Sequence, residues 1–178
     1  MMIWISFLVT LFTFPGFVTR TVAIRFACDL LGVSVYEARY FKGYIHHESI
    51  DVPFKVVFLY FSPLLVNTFL CVMFFFPVAL EFLLDNDWTW ENSNIQFLLT
   101  WMGISVGVHA LPYRLEIEEC LGDIPMEYRN DWWYWFLDFV SIIFIAIDFL
   151  RKFGVDFFYA VGSGMAIPYL ITKAFITF

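Results

Sequence analysis

Hydrophobic residues along the chain are grouped into long runs instead of alternating with polar ones. Five runs cover residues 1–19, 56–80, 92–113, 132–150 and 157–178. Each is close to the length of about 20 mostly apolar residues with which a helix crosses a bilayer. The run at 56–80 contains no Asp, Glu, Lys or Arg. Its prolines, Pro63 and Pro77, are tolerated in membrane helices. The pattern therefore predicts several transmembrane helices, the first of them a retained anchor.

A further helix is predicted over residues 17–33, between the first two runs. On a helical wheel its apolar residues share one broad arc, and Thr21, Arg25 and Asp29 lie opposite. Arg20 is the exception, because it projects from the middle of the apolar arc. We expect this helix to be partly immersed in the bilayer. The chain as a whole, 1–178, is predicted to be a single all-α domain, a polytopic transmembrane helix bundle of five or six spans.

Composition supports a membrane protein. Hydrophobic residues make up 61% of the 178 residues and charged residues 15%, and the mean hydropathy is +0.76. Soluble domains average roughly 45–50% apolar and about 25% charged residues. The net charge of −7 leaves no basic field for nucleic acid. The three cysteines form no C-x-x-C pair and indicate neither a disulfide framework nor a thiolate metal site. We therefore expect a multi-pass protein of the cell membrane.

Basic residues in the loops predict the orientation. Between the five runs, residues 19–55 and 113–131 hold seven Lys and Arg, and the remaining two loops hold two. Cytoplasmic loops carry the excess of basic residues in membrane proteins. Residues 19–55 and 113–131 are therefore predicted to face the cytoplasm, with the N-terminus outside.

Ionisable residues inside the runs are candidates for function, because charge in a bilayer is costly. Asp148 precedes Arg151 and Lys152 by three and four residues, so we expect a local ion pair. Asp138 lies six residues into its run, within reach of the interface. A small transporter or channel element using these two aspartates is one alternative function. His109 is expected to be neutral and hydrogen-bonded inside the bundle.

A second set of polar residues contains the side-chain types that bind metals. His46, His47 and Glu48 are adjacent in the first long loop, and His109 and Glu116 follow later. Adjacent residues point in different directions, whereas zinc ligands usually lie one helical turn apart or on separate elements. A solvated loop is therefore the expected state of 46–48. An active metal-dependent intramembrane hydrolase, with a site rebuilt from these five residues, is a second alternative.

Residues 14–33, 43–48, 62–68 and 103–112 form four segments. In this order they resemble segments of small prokaryotic membrane proteins regarded as zinc metalloproteases and related to the site-2 proteases. Residues 14–33 resemble the family's opening, in which Pro-Gly leads into a helix bearing H-E-x-x-H and then to Cys and Gly-Val. Residues 43–48 are similar to its Gly-Tyr-Val-x-His-Glu segment, and residues 62–68 to its Gly-Pro-x-Leu-Val-Asn-Thr helix. Residues 103–112 are similar to its Gly-x-Ser-x-x-x-His-Ala-Phe-Pro segment. The resemblance implies a site-2-protease-like core.

The catalytic residues of that family are missing here. Its two histidines hold Zn²⁺ from one face of a helix, and its glutamate activates the bound water. The matching positions are Arg20, Thr21 and Ile24. An arginine is permanently cationic, an isoleucine has no donor atom and a threonine cannot act as the base. Where the family has an aspartate, a plausible third ligand, this chain has Glu116. The resemblance therefore implies the scaffold of that family without its catalytic residues. No cofactor is expected, and zinc is expected only under the hydrolase alternative.

Arg20 and Ile24 lie on the face that would point at the metal. Our hypothesis is that the Arg20 guanidinium occupies the former cation site and pairs with Glu116 or Glu48. The alternative is that Arg20 extends to the membrane interface and keeps its charge in water. The predicted function is that of a catalytically inactive pseudoprotease, a binding or scaffold subunit or regulator. Its expected partners are the lipid bilayer and another membrane protein or a larger membrane complex.

Overall fold

A computed structural model describes residues 12–84, 93–124, 126–128 and 132–176 of the chain. Short 3₁₀ turns at Met126–Tyr128 and Arg151–Phe153 accompany the regular elements. In chain order, these elements are α1 (Phe14–Leu31), β1 (Val35–Arg39), β2 (Tyr44–His47), α2 (Pro53–Leu84), α3 (Ser93–Val108), α4 (Arg114–Asp123), α5 (Trp132–Leu150) and α6 (Val155–Ile176).

The prediction of five or six spans is wrong. Among the described residues, two helical segments are long and apolar enough to cross a membrane, Pro53–Glu81 and Val155–Ala174. The predicted span at 92–113 ends early, because α3 has 16 residues and is about 24 Å long, short of the roughly 30 Å hydrocarbon layer. Residues 1–11 of the predicted first span lie outside the described residues, and the rest of that span belongs to the start of α1.

The all-α prediction is also wrong, because β1 and β2 form an antiparallel hairpin within the segment expected to be a loop. β-Branched and aromatic residues favour the extended conformation here, among them Val35 and Ile45. Gly43 ends the turn with φ +65°, a conformation that residues with a Cβ rarely adopt. The hairpin contacts α1, the helix that carries Arg20, Thr21 and Ile24.

Helix α2 is the central element and packs against α1, α3 and α6. It continues over 32 residues although Pro63 and Pro77 lie inside it. Of the most apolar windows of the two candidate spans, only 28% and 17% are buried within the protein. The core helix of a water-soluble protein is mostly buried. Most residues of both segments are therefore at least partly exposed.

Helices α3 and α4 together run back along α2, with a break between them. Near the end of α2, the amide of Gln96 contacts the Glu81 carboxylate. Towards the start of α2, the Tyr60 hydroxyl donates to Asp123 at 2.7 Å. The two short helices are thus antiparallel to one long helix, and residues 109–113 separate them.

Helices α5 and α6 form a second broken pair, parallel to α2. The ring of Phe144 in α5 packs edge-on against Phe61, and the Cys71 thiol contacts the Ala160 carbonyl of α6 at 3.4 Å. The pair is interrupted at the 3₁₀ turn Arg151–Phe153, which ends at Gly154 with φ +80°. Both breaks face the middle of α2, where the polar side chains described next are gathered.

Candidate functional site

Arg20, Thr21 and Ile24 are positioned by a close contact between α1 and α3. The Gly16 N–H donates to the Ser105 hydroxyl at 3.0 Å. A Cβ at Gly16 would lie 1.8 Å from the Ser105 carbonyl oxygen, so only glycine allows the two helices to approach this closely. Arg20 follows one turn later and is only 4% exposed. The alternative that Arg20 extends into water is therefore wrong in this structure.

All three nitrogens of the Arg20 guanidinium have acceptors. Nε donates to Glu116 Oε1 at 3.1 Å, and Nη2 pairs with Glu116 Oε2. Nη1 donates to the carbonyl oxygens of His109 at 2.6 Å and Leu111 at 3.1 Å. Such a two-pronged contact between arginine and carboxylate is among the strongest hydrogen-bonded pairs in proteins. Of the two acids expected as partners, Glu116 is the one that Arg20 contacts.

The break after α3 leaves backbone carbonyl groups without helical partners, as every helix C-terminus does. Asn67 donates its amide to the His109 oxygen at 3.1 Å. Arg151 donates Nη2 to the oxygens of Leu111 at 2.9 Å and Pro112 at 3.1 Å. Cations are also favoured electrostatically at this end of a helix. Arginines from α1 and from the α5–α6 break therefore satisfy the backbone of the α3–α4 break.

Tyr113 lies between the two guanidinium groups. Its ring centroid is 4.6 Å from Arg20 Cζ and 4.2 Å from Arg151 Cζ, within the range of cation–π contact. Arg151 is paired with Asp148 at 3.1 Å and with Asp156 at 3.0 Å. Arg20 and Arg151 thus each pair with at least one carboxylate. The expected ion pair of Asp148 with Arg151 is present.

Both ring nitrogens of His109 have hydrogen-bonding partners. Its Nε2 lies 2.9 Å from the Thr13 hydroxyl and its Nδ1 lies 3.3 Å from the Tyr113 hydroxyl. The side chain is used in hydrogen bonds within the protein.

The predicted polar cluster is divided between separate places. His46 packs against the rings of Tyr36 and Tyr44 on the exposed hairpin, and His47 Nδ1 lies 2.8 Å from the Glu48 carbonyl oxygen. His109 is buried at the α3–α4 break, and Glu116 is paired with Arg20. Among the described residues, no three His, Cys, Asp or Glu side chains are grouped so that they could hold a metal ion.

The other motif positions also offer no zinc ligand. The Thr21 hydroxyl donates to the Phe17 carbonyl one turn earlier at 3.3 Å. Ile24 packs against the apolar cluster around Leu59 and Ala27. With Arg20 adding a permanent positive charge, the donor set at these positions does not fit Zn²⁺.

A cleft of about 310 Å³ lies in front of Ile24, between the hairpin, α2 and α4. Glu116 and Glu119 contribute carboxylates to it. Its remaining lining residues are Gly43, Tyr44, Ile45, His47, Leu59, Tyr60, Tyr113 and Leu115.

The electrostatics of the cleft favour a positively charged occupant. Glu116 and Glu119 bring two carboxylates to its lining, and a cation between them would be attracted by both. Glu116 is already committed to Arg20, so Glu119 is the acid available to a ligand.

The transport alternative depended on two aspartates in α5. Asp148 is ion-paired with Arg151. Asp138 lies on the exposed side of α5, and the Ser141 hydroxyl donates to its backbone carbonyl at 2.6 Å. The structure does not bring these two carboxylates together.

Comparison of the chain with protein-family profiles, with curated proteins and with solved structures finds no match to any of them. The resemblance to the site-2-protease-like family therefore rests on the residues of the sequence alone and stays a prediction.

Three residues of this network were not identified from the sequence. Asn67, Tyr113 and Arg151 become partners of the α3–α4 break only through the fold. Arg151 had a local explanation in Asp148, which concealed its second contact with a distant backbone segment. The single sequence signal that pointed to the network was Arg20 on an apolar helix face.

Proposed function

We propose that the chain is embedded in the membrane, with α2 as one continuous crossing. Because α6 is parallel to α2, the chain between them must return across the bilayer. The broken pairs α3–α4 and α5–α6 run along α2 in the required directions. Support comes from the outward-facing apolar side chains of the two candidate spans, such as Leu65, Phe69 and Leu170, which are 58%, 63% and 62% exposed. The polar layer around Arg20 then lies at an intermediate depth, where broken helices are tolerated if protein groups satisfy their backbone.

Within this arrangement, the protein acts as a non-catalytic binding or scaffold subunit for a membrane partner. The observation that carries this proposal is the pairing of Arg20 with Glu116 at the motif positions. A guanidinium whose every nitrogen is engaged, buried beside the backbone of α3, stabilises the fold and excludes a metal ion from its place. The cleft beside α1 remains open. The protein can therefore bind a partner although it lacks the residues that would cleave one.

The cleft would bind a segment of the partner that carries a basic residue. The apolar wall of Ile24, Ile45 and Leu59 suits an aliphatic stem, and Glu119 supplies the charge for an ammonium or guanidinium group. The wall is shared by the hairpin, α1 and α2, so all three elements must be folded for the cleft to form.

Metal analysis tests the non-catalytic assignment. We expect purified wild-type protein to contain no stoichiometric zinc and a variant carrying R20H, T21E and I24H to acquire it, because the resembled family binds zinc with that set. Stoichiometric zinc in the wild type that is lost on His109→Ala would contradict the proposal and favour the hydrolase alternative.

Photo-crosslinking in native membranes tests the cleft. A photoreactive amino acid at Leu115, which lines the cleft and is 70% exposed, should crosslink one defined partner. The same group at Leu65, on the outer face of α2, serves as the control. Glu119→Gln should weaken the Leu115 crosslink, whereas Glu118→Gln should not, because Glu118 is paired with Arg114 at the surface. Equal crosslinking in all four samples would contradict a role for the cleft.

A further inference from the structure

A second hollow in the protein is apolar and lies at the start of α2. It has a volume of about 410 Å³ and is enclosed by the first turns of α2 and α5 and by the segment after α4. The lining residues are Val52, Pro53, Phe54, Val57, Ile124, Tyr128, Tyr134, Phe136 and Leu137. We call this feature the α2–α5 groove.

The walls of the α2–α5 groove select a hydrocarbon ligand. No lining side chain carries a formal charge, and the polar side-chain groups are the hydroxyls of Tyr128 and Tyr134. Water is held in a protein hollow by two to four polar partners, which such walls do not supply. Protein interiors are otherwise close-packed, because each empty space loses dispersion contacts. An apolar chain is the occupant that regains those contacts.

The position of the groove indicates the source of that chain. Pro53, the first residue of the candidate span Pro53–Glu81, is one of its lining residues. Phe54 at its rim is 69% exposed, and the apolar surface continues along α5 through Phe139, which is 62% exposed. Under the proposed membrane placement, on which this inference rests, the rim faces lipid at one end of the bilayer. Tyrosine side chains are typical of that depth.

We propose that the α2–α5 groove binds an acyl chain of a membrane phospholipid. The bound chain fills the space between α2 and α5, the helix whose principal packing partner is the short α4. The lipid thus completes the packing of α5 on the protein. A second copy of the chain and a free fatty acid are the competing occupants.

Native mass spectrometry of protein released from phospholipid nanodiscs tests this inference. We expect the wild type to retain one phospholipid, and Val57→Trp to lose it because the indole fills the groove. Val57→Phe provides a smaller filling side chain, which should lower retention if the tryptophan variant does not fold. Leu65→Trp on the exposed face of α2 is the matched control and should retain the lipid.

Three results would overturn the groove proposal: no retained phospholipid in the wild type, equal retention in Val57→Trp, or a retained fatty acid instead of a phospholipid. A dimer that dissociates on Val57→Trp would assign the groove to a second copy. Alkaline carbonate extraction of cell membranes tests the membrane placement separately from the lipid site. Protein released by carbonate refutes the placement, whereas protein that stays in the membrane with an empty groove refutes only the lipid site.

Discussion

Replacement of Arg20 by methionine tests the central claim about the polar layer. The change keeps an unbranched side chain in α1 but removes two hydrogen bonds to Glu116 and one each to the carbonyls of His109 and Leu111. Removal of one partner from a buried ion pair costs about 3–5 kcal/mol, because the other charge is left uncompensated. Glu116 is 23% exposed and keeps the Tyr113 N–H, so we expect the lower value of about 3 kcal/mol.

The control is the same substitution at Arg25, five residues later in the same helix. Arg25 pairs with Asp29 at 3.0 Å, but the side chains are 35% and 56% exposed, so Arg25→Met should cost less than about 1 kcal/mol. Both variants are unfolded reversibly by SDS in mixed micelles and followed by far-UV circular dichroism. Adding Glu116→Gln to Arg20→Met should restore part of the loss. The reasoning fails if the Arg20 and Arg25 variants are equally stable.

Two further changes test packing and hydrogen bonding with the same unfolding assay. Gly16→Ala should cost at least about 1 kcal/mol, because its Cβ would meet the backbone of α3 at 1.8 Å, whereas Gly122→Ala, with nothing within 4 Å, should be neutral or stabilising. For His109, replacement by Phe should cost about 1–3 kcal/mol, because it removes the contacts with the hydroxyls of Thr13 and Tyr113. Stability equal to that of the wild type would contradict a structural role of the His109 side chain.

The prediction of helices succeeded where one run of apolar residues forms one helix. The run at 56–80 is contained in α2, and the runs at 132–150 and 157–178 correspond to α5 and α6. The prediction of one span over 92–113 was wrong, because a hydropathy pattern does not show where a helix ends within an apolar run. Pro112 lacks the N–H that would continue the helix, and the two arginines donate to the carbonyl groups left free at the break, which is a tertiary effect. The hairpin was missed because its alternating residues lie in a short, mixed segment.

Some residues of the candidate site were indicated by the sequence, and others were identified only by the fold. Arg20 was recognised from its position on an apolar arc, since a charge there requires a partner wherever the helix is buried. Glu116 was one of two acids offered by the sequence, and only the fold brings it to Arg20, across 96 positions of chain. Histidine is a common metal ligand, and the sequence offers three. The fold places His46 and His47 on a surface hairpin and His109 in the interior, where it is hydrogen-bonded.

The sequence by itself determined that the chain holds more apolar residues than an average soluble domain, and that Arg20, Thr21 and Ile24 do not form a zinc site. Both follow from side-chain chemistry, which is independent of the fold: apolar side chains avoid water, and Arg, Thr and Ile cannot form that site. The tertiary structure decided how many helices are long enough to cross a membrane and which acid neutralises Arg20. It also decided that Arg151 and Tyr113 belong to the same layer. These depend on distances between residues far apart in the chain, which are set by the packing of α1, α3 and α4 around α2.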